Sequence, residues 1–378
     1  MKPLEGLLVL DFSQFLSGPS AALRLADMGA RVIKVERPGI GDGCRALSLG
    51  VDLDGDSLLF HTINRNKESY TADLKEKSDL QNIMKLVGSA DVLIENFRPG
   101  VMEKLGLGYE SVCEINPKLV YGRITGYGVS GPWKEKPGQD LLVQAISGLT
   151  WLNGDAAQPP MPFGLAVADM LTGAYLTQGI LACLVRRSVK GIGGLVEVSL
   201  LESIMDFQFE VFTTYLNGGP APRRSEINSA HAYLGAPYGI YETKDGYLAL
   251  AMGSVPRLGE LLGCSALNEY QDKHTWITKR DEIKSILVSH LKTRTTQEWL
   301  SILEPADYWC SDVYTWQQLL NHDGFKALNL VQDLELPNGE LLKTTRCPVR
   351  VDGEILTSTK CAPALGVHTE LINSQFNI

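Results

Sequence analysis

The sequence predicts an α/β fold: a Rossmann-like, doubly wound large domain joined to a smaller α+β domain. Three observations carry this. The first 37 residues spell a β-α-β unit, two further apolar strand runs follow at 90–95 and 119–124, and a hairpin signal opens a differently patterned segment after a Gly/Pro-rich break.

Leu7-Leu-Val-Leu-Asp-Phe-Ser13 is a short apolar run of buried-strand type, and the Ala/Leu-rich segment Ala21–Met28 after Gly18-Pro19-Ser20 reads as a helix closed by Gly29. Arg31-Val-Ile-Lys-Val-Glu36 makes the second strand, so the two run parallel through a right-handed crossover. A helical stretch over Asp79–Gly88 precedes the strands Ala90–Glu95 and Leu119–Ile124. From Asp169 a long apolar pattern runs to Val185 and ends in Arg186-Arg187, basic residues that suit a helix C-terminus. Gly191–Gly194 separates it from the strand-like Leu195–Ser199, and a further helix is expected from Leu200 to about Leu216. Gly218-Gly-Pro-Ala-Pro-Arg-Arg224 is the clearest composition break. Beyond it, Tyr238–Tyr241 and Tyr247–Met252 flank an Asp245-Gly246 step, a strong hairpin signal, and amphipathic helices follow at 279–291 and 296–303. A last hairpin turns at Asn338-Gly339 and leads into the tail. The expected division is 1–215 for the large domain, 216–224 for a linker, 225–328 for an inserted small domain and 329–378 for a return to the large one.

A chain of 378 residues exceeds the ~150 of a typical domain, and with 44% apolar and 21% charged residues it can bury its own core, which excludes disorder as its main state. A net charge of −9 gives no basic field for nucleic acid or an anionic membrane, so neither is expected as a partner. The 7 cysteines are dispersed, with no C-x-x-C and no neighbouring histidines at zinc spacing, so neither a disulfide framework nor a metal site is expected. The start lacks an apolar leader and no stretch reaches ~18 uninterrupted apolar residues. A reducing, cytoplasmic location is the expectation.

The obvious use of a leading β-α-β unit is dinucleotide binding, but G-x-G-x-x-G is absent between the first strand and helix. Gly39, Gly41 and Gly43 come after the second strand and read as a flexible loop. NAD dependence is therefore disfavoured, and missing Walker A, G-x-S-x-G and H-E-x-x-H motifs remove the commonest routes to nucleotide, serine-hydrolase and zinc chemistry. What stands out is Asp169, between Gly164-Leu-Ala-Val-Ala168 and the apolar helix. Two readings stand side by side. As an N-cap it would hold a free amide for about 0.5–2 kcal/mol; as a nucleophile it would be kept ionised by those amides and the helix dipole.

The wider sequence resembles the family III CoA-transferases, which include carnitine and bile-acid CoA-transferases and α-methylacyl-CoA racemases. The likeness spans nearly the whole chain and is carried by Leu4–Asp11, Gly18-Pro19, Leu25–Gly39, Asn64–Ser69, Glu95–Gly100, Lys104–Gly106, Asn116-Pro117, Gly126-Tyr-Gly128, Ala168–Met170 and Ala362–Thr369. It implies an interlocked homodimer that binds CoA mainly through the large domain, with acyl-CoA and a carboxylic acid as substrates and no permanently bound cofactor or metal. It implies that Asp169 attacks the donor thioester, giving first an aspartyl anhydride and then an aspartyl-CoA thioester. Succinyl-CoA or acetyl-CoA is the expected donor.

Carried over position by position, the implied CoA contacts are Gln14, Phe15, Leu16 and Ser17, then Arg37, Ala72, Lys75, Asn96, Phe97 and Lys104. Arg37, Lys75 and Lys104 are suited to phosphates, although Lys75 could equally be a solvated surface cation. Lys104 replaces an arginine of some relatives, and Pro137 stands where some place a CoA-binding lysine. Asp140 matches an acidic position that orients substrate, with an N-cap before Leu141 as its alternative. Racemases of the family carry a histidine just before it; Gln139 cannot exchange protons, which disfavours 2-methylacyl-CoA racemisation. A catalytically idle CoA-binding protein is the remaining alternative. The glycine run of formyl-CoA transferases is missing, which speaks against formate or oxalate chemistry. His231 and Tyr233, in the corresponding stretch, are either acceptor contacts or packing residues.

Overall fold

Six strands, Leu8–Asp11 (β1), Arg31–Glu36 (β2), Glu68–Thr71 (β3), Val92–Glu95 (β4), Val120–Thr125 (β5) and Gly194–Ser199 (β6), form one parallel sheet in the order β3-β2-β1-β4-β5-β6. The coordinates are a computed structural model that describes residues 2–378. Because side chains alternate along a strand, Leu8, Leu10, Ile33, Val35, Leu93 and Tyr121 face one core while Val9, Val32, Val92, Ile94 and Val120 face another. Lys77–Ser89 (α2) closes the first with Ile83, Leu86 and Val87; Ser17–Asp27 (α1) and Val167–Lys190 (α4) close the second with Ala22, Leu25, Leu176 and Ile180. Each fully buried Leu or Ile contributes about 1.5–3 kcal/mol, so both faces of the sheet are needed for the core.

The chain builds β1, β2 and β3 outward on one side, then returns to lay β4, β5 and β6 on the other. The strand order therefore reverses between β1 and β4. β3 is the strand that the pattern does not announce: Glu68-Ser-Tyr-Thr71 is polar because Ser69 Oγ donates to Glu36 Oε2 and the tail bonds this edge, through His368 N–H to Ser69 O and Thr71 N–H to Thr369 Oγ1.

α1 begins at Ser17, four residues before the expected start, with Pro19 in its first turn where a missing N–H costs nothing. α4 likewise begins at Val167 and runs to Lys190, where Gly191 at φ 73° stops it. By length and a mean hydropathy of 1.3 it would suffice to cross a membrane, a helix the uninterrupted-run criterion passes over because Thr and Gln punctuate it. Here it packs on α1, β5 and β6.

The described chain divides into two units. The first takes residues up to Val143, Ala166–Asp206 and Leu328–Ile378; the second takes Gln144–Leu165 and Phe207–Ala327. The boundary thus falls at 206/207 and not in the Gly218–Arg224 stretch, and 144–165 joins the second unit as well. Arg224 explains the latter: its guanidinium donates to Asn153 O at 2.7 Å and Gln158 O at 2.6 Å, while Ser229 N–H donates to Asp155 Oδ1. Within this unit Gly239–Glu242 (β7), Tyr247–Leu250 (β8) and Cys310–Asp312 (β9) make an antiparallel sheet over Trp299, Leu287 and Leu258.

Candidate active site

The loops that leave the C-terminal ends of β1 and β4 meet where the strand order reverses, the place where open parallel sheets bind ligands. Gln14 follows β1 and Asn96 follows β4. Gln14 N–H donates to Asn96 Oδ1 at 2.8 Å and Asn96 Nδ2 returns a bond to Gln14 O at 2.8 Å. Phe15, at φ 63° and half exposed, is held there by its N–H to Asp42 Oδ1 at 3.0 Å. The loop is thereby clamped to both sides of the switch point.

Beneath it lies a buried set of charges. Lys34 Nζ reaches Ser13 O at 2.8 Å and Asp42 Oδ2 at 2.8 Å; Lys67 Nζ reaches Asp11 Oδ2 at 2.9 Å, Asn64 Oδ1 at 2.9 Å and Pro19 O at 3.0 Å. Burial opposes the charge on Asp11, but Lys67 and Lys34 outweigh it and hold its carboxyl below the usual range. Burial pulls Lys67 down to about 8, with Asp11 resisting. These lysines tie the carbonyls of Ser13 and Pro19, and with them the loop and the first turn of α1, to the sheet.

Asp169 is the third residue of α4, in its first turn, and is not the N-cap. The cap position is Ala166, which offers no side-chain bond. Capping comes from elsewhere: Asp140, the buried first residue of Asp140–Ile146 (α3), accepts Ala168 N–H at 2.7 Å and Asp169 N–H at 3.2 Å on Oδ1. This corrects the capping reading of Asp169, whose carboxylate is left for other work. It also corrects the expectation that the dipole keeps Asp169 firmly ionised. Burial and the Asp140 charge push its carboxyl up to about 7, against a hydrogen bond from Ser17.

α1 runs very close to α4 here. A Cβ on Gly173, one turn beyond Asp169, would stand 2.7 Å from Ser17 O and closer still to Ser20 Oγ. Another close passage positions Asp140: Gly126 and Gly138 cross so tightly that a Cβ on Gly126 would lie 2.6 Å from the Cα of Gly138, pinching the loop between them.

The other residues expected to contact CoA fall into two groups. Arg37, Lys75 and Lys104 are exposed beyond the ends of β2, β3 and β4, and Gln14, Leu16, Asn96 and Phe97 are partly open. Ala72 and Ser17 are buried; Ala72 sits in the core with its N–H given to Glu36 O. Gln139 is exposed beside Asp140. In the second unit, His231 Nδ1 accepts the N–H of Tyr233 and Leu234, and Tyr233 Oη donates to Pro220 O. Sequence reasoning passed over Lys34, Asp42 and Lys67, although a lysine inside the apolar run Arg31–Glu36 was the signal, since a charge in a buried parallel strand needs a buried partner. Among the described residues no group of His, Cys, Asp and Glu could hold a metal ion.

The model of CoA-transferase family III matches residues 4–369. This chain belongs to that family. It is a CoA-transferase. It is similar to a succinyl-CoA:glutarate CoA-transferase of Mus musculus, 33% identical over 98% of this chain and 86% of that protein, and to an acetyl-CoA:oxalate CoA-transferase of Acetobacter aceti, 33% identical over 80% and 79%. Among solved structures it is similar to a CaiB/BaiF family protein of Brucella suis, with a TM-score of 0.85 and 31% identity over 99% of both chains.

Proposed function

We propose that the CoA-transferase moves CoA from succinyl-CoA or acetyl-CoA to a short dicarboxylic acid, with Asp169 as the covalent nucleophile. The observation that carries this is the Asp140 cap, which occupies the amides of the first turn of α4 and leaves the Asp169 carboxylate unused by the helix. An Asp169 oxygen attacks the thioester carbon, the C–S bond breaks, and CoA thiolate leaves a mixed anhydride. The thiolate then attacks the aspartyl carbonyl and releases the donor acid. The acceptor carboxylate displaces CoA from the aspartyl thioester, and CoA returns to the acceptor carbonyl, which restores Asp169. No step changes an oxidation state.

CoA itself is held by Gln14, Phe15, Leu16, Asn96 and Phe97 around the switch point, with Arg37, Lys75 and Lys104 toward its phosphates. Ala72 lies beneath this wall. A second copy of the chain completes the molecule as an interlocked homodimer: helix Phe209–Leu216 buries none of its residues and leaves Phe209, Phe212, Tyr215 and Leu216 exposed. The free cysteines support a reducing, cytoplasmic setting. Glutarate and oxalate, the acids in the names of these relatives, support a dicarboxylate acceptor. The test is a transfer assay with succinyl-CoA and acetyl-CoA against malonate, succinate, glutarate, oxalate, malate and monocarboxylates of matching length. Transfer confined to monocarboxylates would overturn the acceptor class.

A further inference from the structure

We propose that Asp42 is a positioning residue for CoA: its carboxylate, with Gly43 beside it, presets the Phe15 ring as a wall of the binding site before substrate arrives. This rests on the proposed contact between Phe15 and CoA. Phe15 is half exposed and adopts φ 63°, a left-handed conformation that a bulky L residue avoids, so its surroundings must hold it there. Asp42 does so. Its Oδ1 accepts Phe15 N–H at 3.0 Å and Cys44 N–H at 2.9 Å, which ties the loop after β1 to the turn Gly43–Ala46 after β2.

The carboxylate is itself held in place. It is only 2% exposed, Lys34 Nζ stands 2.8 Å from its Oδ2, and the same Nζ donates to Ser13 O at 2.8 Å. One buried cation thus holds both loops. The Asp42 backbone is fixed too: its N–H donates to Glu36 Oε1 at 3.0 Å, an oxygen that also receives Arg45 Nε at 2.8 Å. Arg45 reaches on to Pro363 O at 3.1 Å, so the turn is moored to the tail as well as to β2. A side chain whose partners are buried and charged keeps one geometry.

Gly43 supplies the other half of the seat. A Cβ there would stand 2.8 Å from Phe15 Cζ and 3.1 Å from Cε1, so the edge of the ring lies where the side chain of any other residue would begin. Bonded through its N–H and seated on this glycine, the ring is ordered in the free protein, and binding CoA carries little further cost of ordering it. Asp42 and Gly43 act through Phe15 and need not touch CoA themselves.

The experiment measures CoA binding by isothermal titration calorimetry in Phe15→Ala, Asp42→Ala, Gly43→Ala and the double variant Phe15→Ala/Gly43→Ala, with transfer kinetics on each. Gly43 lies outside the left-handed region, so alanine fits its backbone. Gly43→Ala puts a methyl group where the ring sits and leaves the buried charges intact, so it reports on the ring even where Asp42→Ala does not fold. Each single variant should weaken CoA binding by about tenfold, within the range that residues in contact show in such cycles. In Asp42→Ala and Gly43→Ala, KM for acyl-CoA should rise more than kcat falls, the mark of binding lost from ground and transition states alike. In the double variant the new methyl meets no ring, so it should bind CoA as Phe15→Ala does. Weakened binding in Phe15→Ala beside wild-type binding in Gly43→Ala, or losses that simply add in the double variant, would overturn the positioning role alone. Wild-type CoA binding in Phe15→Ala would overturn the contact between Phe15 and CoA, and the positioning role with it.

Discussion

Asp140 Oδ1 accepts the backbone N–H of Asp169 at 3.2 Å, so the residue that caps the helix and the residue that the cap leaves free are two carboxylates on different helices. The cap has two effects at once. It accepts the N–H groups of Ala168 and Asp169, and its charge adds to burial in raising the neighbouring carboxyl.

Those two effects can be separated by substitution. Asp140→Asn keeps an acceptor oxygen but removes the charge, so the Asp169 carboxyl should titrate lower. Asp169 must be ionised to attack, and activity therefore rises with pH as the group near 7 loses its proton. In Asp140→Asn the acidic limb of kcat/KM should move to lower pH, while Asp140→Ala should lose about 0.5–2 kcal/mol of stability with the cap. A pH–rate profile and a urea melt measure the two. An unmoved acidic limb in Asp140→Asn would contradict the electrostatic half.

A raised carboxyl also sets the sign of a stability change. With a folded-state value of about 7 against 3.8 for the ordinary group, the folded protein binds more protons than the unfolded one between these values, so stability falls as pH rises through that window. Asp169→Asn removes the penalty. It should raise Tm at pH 8 and leave it almost unchanged at pH 4, as differential scanning calorimetry at the two pH values would show.

The fold was legible where apolar period and turn chemistry agree, and illegible where polar contacts decide. β1, β2, β4 and β5 are read from runs such as Leu7–Asp11 because both faces of each strand are buried. β3 escapes because Ser69 and Thr71 are bonded to Glu36 and the tail nearly three hundred residues away in sequence. The placement of 144–165 escapes for a similar reason, since Arg224 gathers its carbonyls. At the site, Asp169 is legible as a helix-terminal carboxylate, but the capping by Asp140, twenty-nine residues away in sequence, is visible only in the fold.

The buried lysines give a prediction about folding stability. Lys67→Met leaves Asp11 without its nearest cation at complete burial, and removing one partner of such a pair costs about 3–5 kcal/mol. Lys104→Ala, at an exposed position, should alter stability by no more than about 0.5 kcal/mol. Its effect should instead be a raised KM for acyl-CoA. Chemical denaturation with parallel kinetics distinguishes the two lysines; equal loss of stability in both would contradict the assignment.

The crossing of Gly126 and Gly138 predicts a steric effect on chemistry. In Gly126→Ala the new Cβ meets backbone, which cannot rotate away as a side chain can. Asp140 follows directly after this crossing, so kcat should fall together with Tm. A circular-dichroism melt and a transfer assay check both. Gly128→Ala, where a Cβ would meet nothing within 4 Å although φ is 89°, should cost the lesser share.

The proposed transfer requires that Asp169 carry the acyl group and then CoA. The most direct measurement is to incubate the enzyme with succinyl-CoA, quench with hydroxylamine, digest, and locate the modified residue by mass spectrometry. The expected result is a hydroxamate at Asp169, absent in Asp169→Ala, with transfer lost in that variant. Undiminished transfer in Asp169→Ala, or an unmodified Asp169 during turnover, would contradict it.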